Sequence, residues 1–163
     1  MLNWNIIYTK PKNEDVVSCK LSNAGLKVLN PKLKERKYYR RKIQDIVSPL
    51  FPCYIFVEFD YPNDYHLIKY TRGVRRIIDS GNMPAVVSEE IITMIQDRMR
   101  EGVITLRQPQ FNAGEEVTII AGPFQGFSAI FEREMKGHER VSILLNAINA
   151  RMIVDNAILA RNN

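Results

Sequence analysis

Metal and thiol chemistry have little to work with in this chain of 163 residues, which holds two histidines, His66 and His138, and two cysteines, Cys19 and Cys53. There is no HxxxH, no close cysteine pair and no glycine-rich phosphate loop, so the usual spacings for metal and nucleotide sites are missing. Gly122-Pro123-Phe124-Gln125-Gly126 has the glycines of a tight turn but lacks the Lys and Ser/Thr that a phosphate loop requires. Cys53 has no histidine to activate it and reads as a structural thiol in an apolar strand. With no nucleophile–base pair the sequence predicts a protein that is not an enzyme, with no cofactor and no metal. No apolar stretch is long enough for a bilayer. The start, Met1-Leu2-Asn3-Trp4, lacks a basic segment followed by an apolar run. The expectation is therefore a cytoplasmic protein with free thiols and no membrane partner.

What is present is ordinary globular material, 45% apolar and 25% charged, enough for one domain or two small ones. The net charge is +5, unevenly placed. From Gln110 onward there are five Lys/Arg and six Asp/Glu, so the first 109 residues carry the whole excess. Contact with a polyanion belongs to that part.

Trp4–Thr9 alternates as a strand, with Trp4, Ile6 and Tyr8 on one face. Asn13 can cap a helix over 14–24 that buries Val17, Leu21 and Ala24 and stops at Gly25. Leu26–Leu33 reads as a strand interrupted by Pro31. In Lys32–Lys42 seven of eleven residues are basic and one is acidic, which predicts an exposed loop or hairpin arm. Leu50–Asp60 is the strongest strand signal, with Tyr54 and Phe56 on one face and Cys53, Ile55, Val57 and Phe59 on the other. A helix follows over Asp64–Thr71, then strands over Val74–Asp79 and Ala85–Val87. Ser88 should cap a helix to about Arg100. Periodicity fails over 101–113, the expected linker. Beyond it Glu116–Ala121, Ser128–Glu134, Val141–Leu145 and Arg151–Leu159 read as short strands of a small barrel.

Several of these segments resemble one family. Pro49-Leu50-Phe51-Pro52-Cys53-Tyr54-Ile55-Phe56-Val57-Glu58-Phe59-Asp60 is similar to the central strand signature of NusG N-terminal domains, in the form used by the RfaH-type antiterminators. Trp4–Lys10 resembles the first strand of the family, and Thr71-Arg72-Gly73-Val74 its "TRGV" turn. Gly114–Val117 and Gly122–Phe131 resemble its KOW module, and Leu144-Leu145-Asn146 with Ile148-Asn149 the RfaH-like tail. The resemblance implies an α+β protein. Its N-terminal αβ sandwich, an antiparallel sheet with helices, would cover 1–100, and a KOW domain would cover 114–163. It also implies an elongation factor, expected as a monomer, that rides on the β′ clamp helices of RNA polymerase, reduces pausing and Rho-dependent termination, and couples to ribosomal protein S10. By family match Tyr8, Tyr54 and Phe56 would meet the polymerase, the alternative being that they pack under the domain's own helices. Lys10, Lys20 and Arg72 would meet the non-template DNA strand. Phe124, Phe127 and Ile130 would form the S10 edge, with core as the alternative for at least one. The rival functions are a general NusG-type factor that assists Rho, or a KOW-type RNA-binding or ribosomal protein. The near-neutral tail weakens the latter.

The tail allows two folds. Val141, Leu144, Leu145, Ile148 and Met152 make a helical stripe, while Val141, Ile143 and Leu145 alternate as a strand. The RfaH resemblance implies a helical hairpin that covers the polymerase face and refolds into a five-stranded barrel. In that form Ile91, Ile92, Ile95 and Met99 would pack against Leu144, Leu145 and Ile148. Arg140 matches the basic partner of an interdomain ion pair whose acidic position is taken here by Ser48.

Overall fold

The computed structural model describes residues 1–135, 140–146 and 150–162. It divides into two compact units, 1–34 with 47–105 and 35–46 with 106–163.

In the first unit the elements are β1 (Leu2–Thr9), α1 (Glu14–Asn23), β2 (Lys27–Leu29), the start of β3 (Lys32–Tyr39), the end of β4 (Lys42–Pro49), β5 (Tyr54–Asp60) and α2 (Tyr61–Lys69). Then follow β6 (Val74–Ile77), β7 (Asp79–Ser80), β8 (Met83–Pro84), β9 (Val86–Val87), α3 (Glu89–Arg98) and β10 (Val103–Thr105). The main sheet runs β2-β5-β1-β6, with β9 also on β1, and every pairing is antiparallel. Because strand side chains alternate, the sheet carries a core on each face. Ile7, Ile55, Val57, Phe59 and Ile77 pack with Val17 and Leu21 of α1 and Ile68 of α2. Trp4, Leu29 and Phe56 pack with Ile92 and Ile95 of α3 and with Met99 just past its end. Burying one large apolar side chain stabilises by about 1.5–3 kcal/mol, and these few residues, from Ile68 alone on α2 to Val17 and Leu21 on α1, chiefly hold the helices.

Several sequence expectations shift here. The apolar run from Leu50 starts as a turn, and the strand begins only at Tyr54. Pro31 splits 26–33 into two strands, being unable to donate to a ladder. Ala24 is exposed and ends α1 instead of joining its buried stripe. α2 starts earlier than expected, with Pro62 in its first turn, where no intrahelical N–H is needed. Asn13 and Ser88 stand at the expected N-caps, yet neither side chain makes a cap hydrogen bond. The expected linker holds β10, whose β-branched residues pair in parallel with β3, Val103 opposite Lys32.

The basic arm is a β3–β4 hairpin turning at Arg40 and Arg41, both with positive φ, 50° and 63°. Two successive left-handed residues make a type I′ turn, usually Asn-Gly, so nothing in the sequence announced it. The outer part of the arm, 35–46, belongs to the second unit, where Arg36 Nη2 donates to Asp155 Oδ2 at 2.9 Å.

The second unit is built on β11 (Glu116–Ile119), β12 (Ser128–Glu134), β13 (Arg140–Leu145), β14 (Ala150–Asp155) and β15 (Leu159–Arg161), ordered β14-β13-β12-β11-β15. This is an open five-stranded antiparallel sheet and does not close into the expected barrel. Among the described residues the tail takes the strand alternative. Val141, Ile143 and Leu145 are buried with Val117, Ile119, Ala129 and Phe131, and the helical stripe is not used. Phe111, expected in the linker, joins this core. The strand expected over 151–159 is cut by a single 3-10 turn, Asn156–Ile158, which Asp155 caps by accepting from the N–H of Ala157 at 2.9 Å. No helix among the described residues is long and apolar enough to cross a membrane.

Candidate interaction face

Antiparallel register sets Tyr8 opposite Tyr54 and Ile6 opposite Phe56 on one face of the first sheet. The two tyrosine rings lie 5.1 Å apart between centroids, tilted by 37°. Tyr54 is 39% exposed, Tyr8 half-buried, and Phe56 only 7% exposed. The cause is α3, whose Ile92 seals the Trp4–Phe56 end and leaves the Tyr8–Tyr54 end open. Phe56 is thus held in the unit's own core, beneath the face it was expected to form. Phe51, which the sequence did not single out, stands edge-on to Phe56 at 5.5 Å and is exposed.

The turn that delivers Tyr54 is held from two sides. Tyr54 N–H donates to Phe51 O at 3.0 Å, and Thr9 N–H donates to Cys53 O at 2.8 Å. Pro52 followed by Cys53 at φ 69° has the pattern of a type II turn, which normally puts glycine at the second position. The buried carboxylate of Glu14 accepts from Cys53 N–H at 2.7 Å. A hydrogen bond to a charged acceptor contributes about 1.5–3 kcal/mol, comparable to the ~1–2 kcal/mol cost of a left-handed residue. Cys53 is therefore a strained turn residue, not the strand thiol expected from its apolar neighbours.

Cations collar the rings. Arg76 is the β6 partner of Tyr8, and the guanidinium carbons of Arg75 and Arg76 both stand 5.8 Å from its ring centroid. Lys10 N–H donates to Gly73 O at 2.8 Å, so the backbone brings Lys10 beside Arg72. Gly73 has φ 104°, and a Cβ there would stand 2.7 Å from Val17 Cγ2, so glycine allows the strand and α1 to meet. Among the described residues none of Lys10, Arg72, Arg75 and Arg76 is held in an ion pair. Lys20 is exposed in the last turn of α1, one helical step beyond Val17, and is not drawn into this junction.

The remaining expected residues fall into separate places. Ile92, Ile95 and Met99 line the first unit's own core, while Ile91 is exposed. Leu145 is in the second core, Leu144 is half-buried and Arg140 is exposed on β13. The interdomain packing expected of the helical form therefore finds Ile92 and Leu145 already buried within their own units. Ile148 lies outside the described residues. Phe124 and Phe127 are 38% and 41% exposed, edge to face at 5.8 Å, with Ile130 half-buried beside them in sequence. Core was the alternative role for one of this trio, and neither phenylalanine takes it. No group of three or more His, Cys, Asp or Glu among the described residues is arranged to hold a metal ion.

A family model described as transcription termination factor NusG matches residues 2–96, more than half of the chain and nearly all of the first unit. This defines the class, a non-enzymatic transcription termination/antitermination factor. The chain belongs to the NusG family. It is 24% identical over 163 residues to the NusG of Helicobacter pylori strain 26695, covering 88% of each chain. It is 24% identical over 151 residues to the NusG of Rickettsia typhi, covering 86% of this chain and 79% of that one. In fold it is similar to a chain of the MjSpt4:Spt5 complex, with a TM-score of 0.51, 20% identity and 96% of each chain covered.

Proposed function

We propose that this factor binds RNA polymerase through the Tyr8–Tyr54 face and opposes pausing and Rho-dependent termination, as RfaH-type antiterminators do. Two adjacent aromatic rings with unpaired cations around them fit the tip of a coiled coil such as the β′ clamp helices, since aromatic anchors dominate interface hot spots. Phe56 supports the face from below, fixing Phe51 and the sheet. Lys10 and Arg72, with Lys20 further along α1, reach the non-template DNA strand at the upstream fork. The second unit recruits a partner such as ribosomal protein S10 through Phe124, Phe127 and Ile130.

The observation that carries this reading is the Tyr8–Tyr54 pair, left open at the one end of the sheet that α3 does not cover. Tyr8→Ala and Tyr54→Ala should each weaken retention on a reconstituted elongation complex by a hot-spot amount, about 2 kcal/mol or thirtyfold. The fluorescence of the lone Trp4 should stay native. Unchanged retention with a native Trp4 signal would overturn the proposal. A general factor that assists Rho is the second reading, favoured by the second unit, whose described residues form strands and one 3-10 turn and no α-helix. Transcription through a Rho-dependent terminator separates the two, because added protein raises read-through in the first case and lowers it in the second.

A further inference from the structure

Between α2 and the segment β6–β8 the first unit encloses a cleft of about 340 Å³, whose walls include Tyr61, Tyr65, Lys69, Arg75, Arg76 and Asp79. That volume lies within the range of about 300–1,000 Å³ usual for small-ligand sites. Tyr61 and Tyr65 are one helical turn apart and stand edge to face at 5.2 Å, forming one aromatic wall. Lys69, a further turn on, holds its ammonium 5.2 Å from the Tyr65 centroid. Its contact with Tyr65 raises its pKa above the ordinary lysine value. Arg75 and Arg76 enter from β6 with no ion pair among the described residues, and Asp79 is the acid on the wall.

We propose that this cleft binds one nucleotide unit of a single-stranded nucleic acid, its base against the tyrosine wall and its phosphate on Lys69, Arg75 and Arg76. Aromatic faces beside unpaired cations match a base joined to a phosphate. An acidic peptide would use the cations and leave the rings idle, and a base inside a duplex is not free to reach them. Lys10, Lys20 and Arg72, assigned to the fork contact, do not line the cleft, whereas Arg75 and Arg76 line it and also stand 5.8 Å from the Tyr8 ring centroid.

Fluorescence anisotropy of the full chain with a labelled oligo-dT strand of about 12 nucleotides, within ordinary single-strand site sizes, tests it. Tyr65→Leu should weaken binding about tenfold, the loss expected of one stacked base. Lys69→Ala and Arg75→Ala should each flatten the slope of log affinity against log salt by about 0.7, one phosphate contact apiece. These two exposed side chains keep the test open if Tyr65→Leu does not fold. Lys10→Ala combined with Arg72→Ala should leave the strand-induced shifts of the Tyr61 and Tyr65 ring resonances in place, so failure of the fork contact and failure of the cleft read differently. The proposal is overturned if the wild type does not bind the strand, or if the cleft variants keep its affinity and salt slope. It is also overturned if duplex, or free dTMP, binds as tightly as the single strand.

Discussion

In the second unit two acids, Glu132 and Glu115, are clamped by arginines. Glu132 accepts from Arg151 Nε at 2.7 Å and Nη2 at 3.0 Å, and from Ser142 Oγ at 2.6 Å, while Glu115 accepts from Arg161 Nε at 2.7 Å. In the first unit Lys10, Arg72, Arg75 and Arg76 stand on and around an aromatic face with no ion pair among the described residues. The aromatics divide in the same way. Phe111 and Phe131 close the second core, and Tyr8 and Tyr54 face outward from the first. Acids paired in this way leave their arginines little to offer a polyanion. Cations left unpaired raise the local potential and draw such a partner in. The contrast supports the proposed contact of the first unit's face with nucleic acid, while the second unit shows the exposed Phe124–Phe127 pair and, at the tip of its arm, the exposed Arg40, Arg41 and Lys42.

The largest test of the contrast separates Phe56 from Tyr54, neighbours on one strand face. Phe56→Ala should cost about 3–5 kcal/mol, as a core phenylalanine does, while Tyr54→Ala should cost under about 1.5 kcal/mol and mainly affect binding. Urea unfolding followed by Trp4 fluorescence measures both, and equal losses would place Phe56 outside the core. Next in size is Gly73→Ala. A left-handed alanine whose Cβ meets Val17 Cγ2 at 2.7 Å should destabilise the first unit by about 2 kcal/mol, and would shift Lys10 relative to Arg72. Loss of DNA affinity without loss of stability would contradict that ordering.

The smallest effect is a pH dependence in the second unit. Arg151 and then Ser142 hold the Glu132 carboxyl below its ordinary value of 4.5. The Asn112 backbone N–H and then Arg161 do the same for Glu115. A depressed carboxylate stabilises fully above its unfolded value, and that contribution is lost as pH falls through the folded one. Amide signals from β12 and β13 should therefore report declining stability below about pH 4.5. Arg151→Ala should flatten the decline, and an unchanged acid profile in that variant would show that the clamp contributes nothing.

Much of the architecture was legible because period and composition dictate it locally. Alternation in Trp4–Thr9 and Leu50–Asp60 predicts two strands, and both are present, the second starting only at Tyr54. Val17 and Leu21 form the buried face of α1 without the expected Ala24, and the basic run of 32–42 forms the expected hairpin arm, half-buried over 32–36 and exposed at its tip. The aromatic and basic candidates Tyr8, Tyr54, Lys10 and Arg72 fall in one neighbourhood. Arg75, Arg76, Phe51 and Glu14 were missed, although the Arg-Arg pair directly after the TRGV turn was a usable signal. Glu14 gave no such signal, because a glutamate in a first helical turn ordinarily faces water.

The sequence by itself determined which segments pair as strands or coil as helices, and where positive charge gathers, since these depend on residues close in the chain. Tertiary structure alone decided that Cys53 turns while Tyr54 extends, that Phe56 is buried and Tyr54 open, and that the tail with both periods takes the strand. Each of those outcomes depends on a group distant in sequence: the Glu14 carboxylate, Ile92 on α3, and the β12 ladder against which Val141, Ile143 and Leu145 close. Local periodicity carries no information about where such a partner will land.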